Sequence, residues 1–159
     1  MIRQGGAAFS TDRVYRYRLW RHLGGGMGRA VFVGLNPSTA DECVNDSTVA
    51  RGIGFAQVWG YGSLEMLNIF AFRAKDPRKM YAAADPIGPM NDEAILKTAR
   101  DAALVVAAWG TRGAYRGRGE EVRRLLDGVP LHHLGLTKDG HPRHPLYLRG
   151  DTKPRPWTT

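Results

Sequence analysis

Residues 31–42 read VFVGLNPSTADE. The apolar, β-branched run from Ala30 to Leu35 predicts a short buried strand, and the Asn36-Pro37 step predicts that it stops in a turn. Gly34 admits tight backbone geometry, while Pro37 fixes its own φ and pushes Asn36 out of the α region. A side-chain amide at the exit of a buried strand has two uses. It can close an Asx-Pro turn, or it can hold out a donor and an acceptor to a ligand or a water.

Two further stretches share this form. LEMLNIFAF is strand-like from Leu64 to Phe70, and ALVVAAWG, residues 103–110, ends on a glycine. Helical patterns separate them. Asp46 and Ser47 can cap a helix through Val49, Ile53, Ala56 and Trp59 that ends at Gly60 and Gly62. Asn91 is placed to cap a second, with Asp92 and Glu93 favouring its dipole and Ala94, Ile95, Ala99 and Ala102 on its path. Upstream, TDRVYRYRLWRHL (11–23) alternates Tyr15, Tyr17 and Leu19 with Arg16 and Arg18, the period of a half-buried strand. GGGMGR (24–29) is a loop. Downstream, EEVRRLLDG (120–128) reads as a short helix, LHHLGL (131–136) as a last strand and PRHPLYLRG (142–150) as a loop turning into a short helix or coil. No internal repeat interrupts the pattern.

Apolar strands separated by helices need crossover connections of about a dozen residues, which make neighbouring strands parallel. The expected fold is therefore α/β: a three-layer α/β/α sandwich with a mainly parallel central sheet, in one domain spanning residues 1–159. Ligands bind beyond the carboxyl ends of the strands in such sheets. Those ends carry Asn36-Pro37-Ser38, Asn68 with Arg73, Trp109-Gly110, and the loop holding His141 and His144.

Composition narrows the function classes. A net charge of +8 and a pI near 10.1 favour polyanionic partners, DNA or a nucleotide. Free use of arginine in a GC-rich genome gives the same balance. The single cysteine, Cys43, excludes a cysteine-ligated iron–sulfur cluster or zinc ribbon. No cofactor is expected, and no metal, since the spacing of His132, His133, His141 and His144 matches no helical ligand pair. The sequence shows no apolar leader and no membrane-spanning run, so a cytoplasmic protein is expected. It leaves the oligomeric state open.

Each polar candidate has a plain structural alternative. Asn68 sits inside an apolar strand, where it either ties the sheet end to a loop or reads a base edge. His144, bracketed by Pro142 and Pro145, suits electrostatic or acid–base work. Asp41 could orient a water or be a solvated loop charge, and Asp46 is read as a cap. Phe55 could stack on a base or pack in the core. Arg112, Arg116 and Arg118, in the Gly-rich WGTRGAYRGRGEE, could grip phosphates or belong to a surface loop. Arg73, Arg143 and Arg149 are further candidate DNA contacts.

Through YRYRLWR, GLNPSTADE, NDSTVARGIGFAQVWGYG, LNIFAFRAKDP, VVAAWG and LTKDGHPRHPLYL, nearly the whole chain resembles the bacterial and phage family called domain of unknown function 1643 (DUF1643). A more distant resemblance is mechanistic. GLNPS is similar to the first motif of the uracil-DNA glycosylase superfamily, especially its GINPG form. LNIFAFRAKDP and VVAAWG are similar to that superfamily's second and third strands, and RHPLYLRG to its HPS motif. The resemblance implies a uracil-DNA glycosylase-like fold and a DNA glycosylase-like hydrolase acting on a damaged or modified base. Asn36 would then position water, Asn68 would recognise the base, His144 would stabilise the leaving base, and Phe55, Gly34 and Pro37 would line the base site. Ser38 and Leu146 depart from the glycine and the serine of those motifs, and STADECVNDSTVARG has no counterpart. A nucleoside or nucleotide hydrolase using the same pocket, or a non-catalytic nucleic-acid or nucleotide binding module, is the alternative.

Overall fold

The apolar run around Phe32 forms a strand near the middle of a seven-stranded sheet. The structure, a computed structural model, describes residues 5–158. The expected domain span and the reading of the extreme N-terminus include residues 1–4 and 159, which lie outside the described residues.

The elements follow in the order β1 (Gly5–Phe9), β2 (Arg16–His22), β3 (Arg29–Gly34), α1 (Ser47–Val58), β4 (Ser63–Asn68), α2 (Pro77–Ala82), α3 (Asn91–Arg100) and β5 (Leu104–Ala107). A 3₁₀ stretch (Thr111–Gly117), α4 (Arg118–Leu125), β6 (Leu131–His133), a 3₁₀ turn (Pro145–Tyr147) and β7 (Arg155–Pro156) complete them. The sheet order is β1-β2-β4-β3-β5-β6-β7.

The fold is α/β, but the sheet is mixed rather than mainly parallel. The pairings β3–β4, β3–β5 and β5–β6 are parallel, whereas β1–β2, β2–β4 and β6–β7 are antiparallel. The departure comes from β1 and β2 at one edge of the sheet and β7 at the other. β1 and β2 are joined by a short loop, and so is β2 to β3. Connections without a crossover helix return the chain antiparallel, and β4 then inserts between β2 and β3.

Strand alternation divides the core into two apolar layers. Val31, Val33, Leu67, Val105 and Ala107 pack with Met80 of α2, Ile95 of α3 and Val122 of α4. Phe32, Leu64, Met66 and Val106 pack with Val49, Phe55 and Ala56 of α1. Helices thus cover both faces of the sheet. Glu65 lies in the central sheet at 1% exposure, and its charge is matched by Arg18 and Arg29.

The cap assignments divide. The Asp46 carboxylate accepts from the Val49 N–H at 2.9 Å and starts α1, as its sequence predicts. Asn91 does not cap α3: Met90 occupies that position without a side-chain bond. The Asn91 amide instead donates to the carbonyls of Asn68 and Ile69, at 2.9 and 3.2 Å, in full burial. It stitches the start of α3 to the exit of β4. LHHLGL supplies only three strand residues and is not the last strand, because β7 adds to its edge.

Asn91→Ala should therefore cost more than a cap. The buried Asn68 carbonyl loses the donor that Asn91 supplies, while the Ile69 carbonyl keeps the Arg118 Nε–H at 2.8 Å. The penalty is about 1–3 kcal/mol, against about 1 kcal/mol for Asp46→Ala. Urea denaturation of the two variants checks the ranking.

Candidate functional site

The chain leaving the carboxyl ends of β3, β4, β5 and β6 encloses a cleft of about 620 Å³. Such a volume falls within the roughly 300–1,000 Å³ of small-molecule sites. Its wall includes Asn36, Trp109, Gly110 and His144, with Lys75, Arg112 and Arg143 contributing charge.

Asn36 is held by its nitrogen. Nδ2 donates to the Ala74 carbonyl at 2.8 Å and to the Pro37 carbonyl at 3.2 Å. Those bonds fix which end of the amide is which, and they leave Oδ1 as an acceptor without a donor among the described residues. Pro37 is buried, and its carbonyl also accepts from the Ala74 N–H at 2.9 Å. The turn reading and the ligand reading of Asn-Pro are therefore compatible, since the turn is what orients the acceptor.

His144 is half-buried at the start of the 3₁₀ turn, where its Nδ1 accepts the Leu146 N–H at 3.3 Å. A neutral imidazole with Nδ1 accepting carries its proton on Nε2. Burial pushes its pKa below the ordinary histidine value, and the nearby Asp46 offsets this only in part. The group is thus kept as a neutral hydrogen-bond donor. Gly110 (φ +70°) makes the turn that brings β5's exit beside the His144 Cβ, and its N–H donates to the Pro142 carbonyl at 2.8 Å.

Other candidates lie elsewhere. Asn68 is 5% exposed on the α1 side of β4 and accepts the Arg16 Nη2 at 3.0 Å through Oδ1, so this acceptor is already occupied. It does not line the cleft. Gly34 pairs with it in register, and a Cβ there would sit 3.1 Å from the Asn68 amide nitrogen. Phe55, 2% exposed, stacks on Trp59 within the core. Asp41 caps its own loop, accepting from Cys43 and Val44 N–H groups that hold its carboxyl below the usual range.

The arginines also divide. Arg118 is 1% exposed and donates to the Ile69 carbonyl, Asp92 and Glu121. It braces α4 against β4 and α3, and is no surface contact. Arg149 pairs with Asp151 at 3.2 Å. Arg73 lies over the Phe9 ring and borders a separate hollow. Arg112 and Arg143 border the cleft, while Arg116 is exposed on the 3₁₀ stretch with φ +56°.

Sequence reasoning missed Tyr147, 91% exposed at the cleft rim, and Lys75. It also missed α2, although Asp76 before Pro77 carries the pattern of a cap followed by a first-turn proline. Among the described residues no three His, Cys, Asp or Glu side chains gather as a metal site, and no helix is long and apolar enough to cross a membrane. Another hollow, of about 670 Å³, lies beside Leu131 and Trp157, at the amino end of β6 and remote from Asn36 and His144.

A family model described as "Protein of unknown function (DUF1643)" matches residues 16–146. Neither the curated proteins nor the solved structures contain a match to the chain.

The state of His144 is open to measurement. Its folded pKa lies below the unfolded value of 6.5. The stability linked to this group is therefore complete above the unfolded value and declines as pH falls through it toward the folded one. Between about pH 7.5 and 5.5 the thermal unfolding midpoint of the wild type should drop further than that of His144→Gln. Equal drops would place the pH dependence elsewhere.

Proposed function

From a chain that belongs to the DUF1643 family, a family described without an activity, we propose a DNA glycosylase-like hydrolase that cleaves the N-glycosidic bond of a damaged or modified base. One observation carries this reading. A fixed amide acceptor, Asn36 Oδ1, and a neutral imidazole donor, His144, line one cleft at the strand ends.

The chemistry follows from those two groups. Heterolysis of the bond between sugar and base makes an oxocarbenium-like sugar and a base anion. A water held by Asn36 Oδ1 is oriented to attack the anomeric carbon, which replaces part of the entropy of a bimolecular encounter. The Nε2–H of His144 donates to the base as negative charge develops. Trp109 supplies an aromatic wall, and the exposed Tyr147, flanked by Arg143 and Arg149 in sequence, suits contact with an unstacked strand. We read the parallel strands β4-β3-β5-β6, with these motifs at their carboxyl ends, as a uracil-DNA glycosylase-like core. In this scheme Asn68 lies behind the cleft, where it holds Arg16 and packs on Gly34, and the base is read by other groups.

A second reading keeps the site and changes the substrate to a free nucleoside or nucleotide. It is favoured by Arg118 being buried within the protein, which removes one of the arginines left to grip a duplex.

A panel of oligonucleotides carrying deaminated, alkylated or otherwise modified bases should yield abasic sites, read as strand breaks after alkali. Asn36→Ala and His144→Ala should each slow cleavage by about 10²–10³-fold, on the scale of a lost positioned donor or acid–base group, while remaining folded. Base release from nucleotides with none from oligonucleotides selects the second reading. No base release from either class would dismiss both.

A further inference from the structure

Beside the cleft is a separate hollow of about 380 Å³ bordered by Arg13, Ser38, Thr39, Arg73 and Lys75. No acidic residue lines it. Lys75 belongs to the wall of both spaces and connects them.

The cations there are held together rather than spread apart. The guanidiniums of Arg13 and Arg73 both lie on the ring of Phe9, 3.8 and 4.7 Å from its centre. Arg73 also donates to the Arg13 carbonyl at 3.3 Å, and its buried Nε finds no acceptor. Like charges so close repel, and Glu42 accepts from Arg13 through two bonds of 2.8 and 2.9 Å. Among the described residues neither Arg73 nor Lys75 has a carboxylate partner, and the hydroxyls of Ser38 and Thr39 make no hydrogen bond. Arg13 itself sits at φ +61°, a left-handed conformation that a non-glycine residue adopts at a cost. Two unneutralised cations and two free hydroxyls around one concavity match a tetrahedral anion with several acceptor oxygens.

We propose that this hollow is a phosphate subsite, which holds a phosphate attached to the sugar whose base occupies the adjoining cleft. The site rests on the preceding functional reading only for the identity of that sugar and base. It gives the STAD segment, which has no counterpart in the motifs matched elsewhere, a task of its own. Ser38 and Thr39 donate to the phosphate, and Arg73 and Lys75 neutralise it.

Binding, not turnover, tests it, so loss of the glycosylase reading would leave the result intact. Inorganic phosphate and a deoxynucleoside 5′-monophosphate, titrated at constant ionic strength, should shift the amide resonances of Ser38, Thr39, Ala74 and Lys75. The exposed Lys75→Glu substitution, and Ser38→Ala with Thr39→Ala, should weaken nucleotide binding at least 10-fold. The matched reversal Lys97→Glu on α3 should not. Preference for the monophosphate over a dinucleoside 3′,5′-phosphate assigns the site to a terminal phosphate; the opposite preference assigns it to a strand backbone. Unchanged affinity in Lys75→Glu, or shifts spread evenly over Arg112, Arg116 and Arg149, would overturn the proposal.

Discussion

A reciprocal pair of hydrogen bonds fixes the geometry on which the cleft depends. The Asn36 side chain donates to the Ala74 carbonyl, and the Ala74 N–H donates back to the Pro37 carbonyl, at 2.8 and 2.9 Å. These bonds clamp the turn after β3 to the segment after β4. Parallel pairing of the two strands, with Gly34 opposite Asn68, brings the segments to the same height. The clamp then decides the chemistry available, because it consumes the nitrogen of the Asn36 amide and leaves its oxygen. His144 arrives from a distant part of the chain and meets the same space through the Gly110–Pro142 bond.

Around this clamp the protein uses arginine as a structural residue. Arg118 is buried among a carbonyl and two carboxylates, which satisfies its guanidinium in three directions. Arg16 is buried with the Asn68 oxygen and the Ala40 carbonyl as its acceptors among the described residues. Burial, reinforced by Arg73 and Arg21 and opposed by Asp46, holds its pKa down at about 10. Arg18 and Arg29 neutralise Glu65 inside the sheet. Part of the charge of +8 is therefore committed to the fold. Of the cations left to a polyanion, Arg73, Lys75, Arg112 and Arg143 stand at the cleft and the hollow beside it.

The central strands and α1 were legible because their signals are local. β-branched apolar runs mark β3 and β5, and Asp46 caps where a short acceptor is needed. β1 was not legible, because GGAAF has no alternation. Its glycines answer to a neighbour: a Cβ on Gly6 would lie 2.6 Å from the Trp20 ring. The antiparallel edges were hidden too: short connections around β2 reverse direction without a helical pattern to announce them, and β7 returns to β6 only after the long segment of residues 134–154. In the site, Asn36 and His144 could be found from Asn-Pro and His-Pro steps at element exits. Asn68 and Asn91 look alike in sequence, as amides at element ends, and only burial shows that both are spent on the sheet. Lys75 and Tyr147 carry no local pattern; their place at the cleft arises from which strands become neighbours.

The fate of the attacking oxygen tests the account most directly. Hydrolysis in ¹⁸O-enriched water of a modified-base oligonucleotide that the protein turns over should place the label on the anomeric carbon of the abasic sugar and none on the released base. Label in the base would mean displacement of a ring substituent, and label in phosphate would mean phosphoester cleavage. Either result would contradict the roles given to Asn36 and His144.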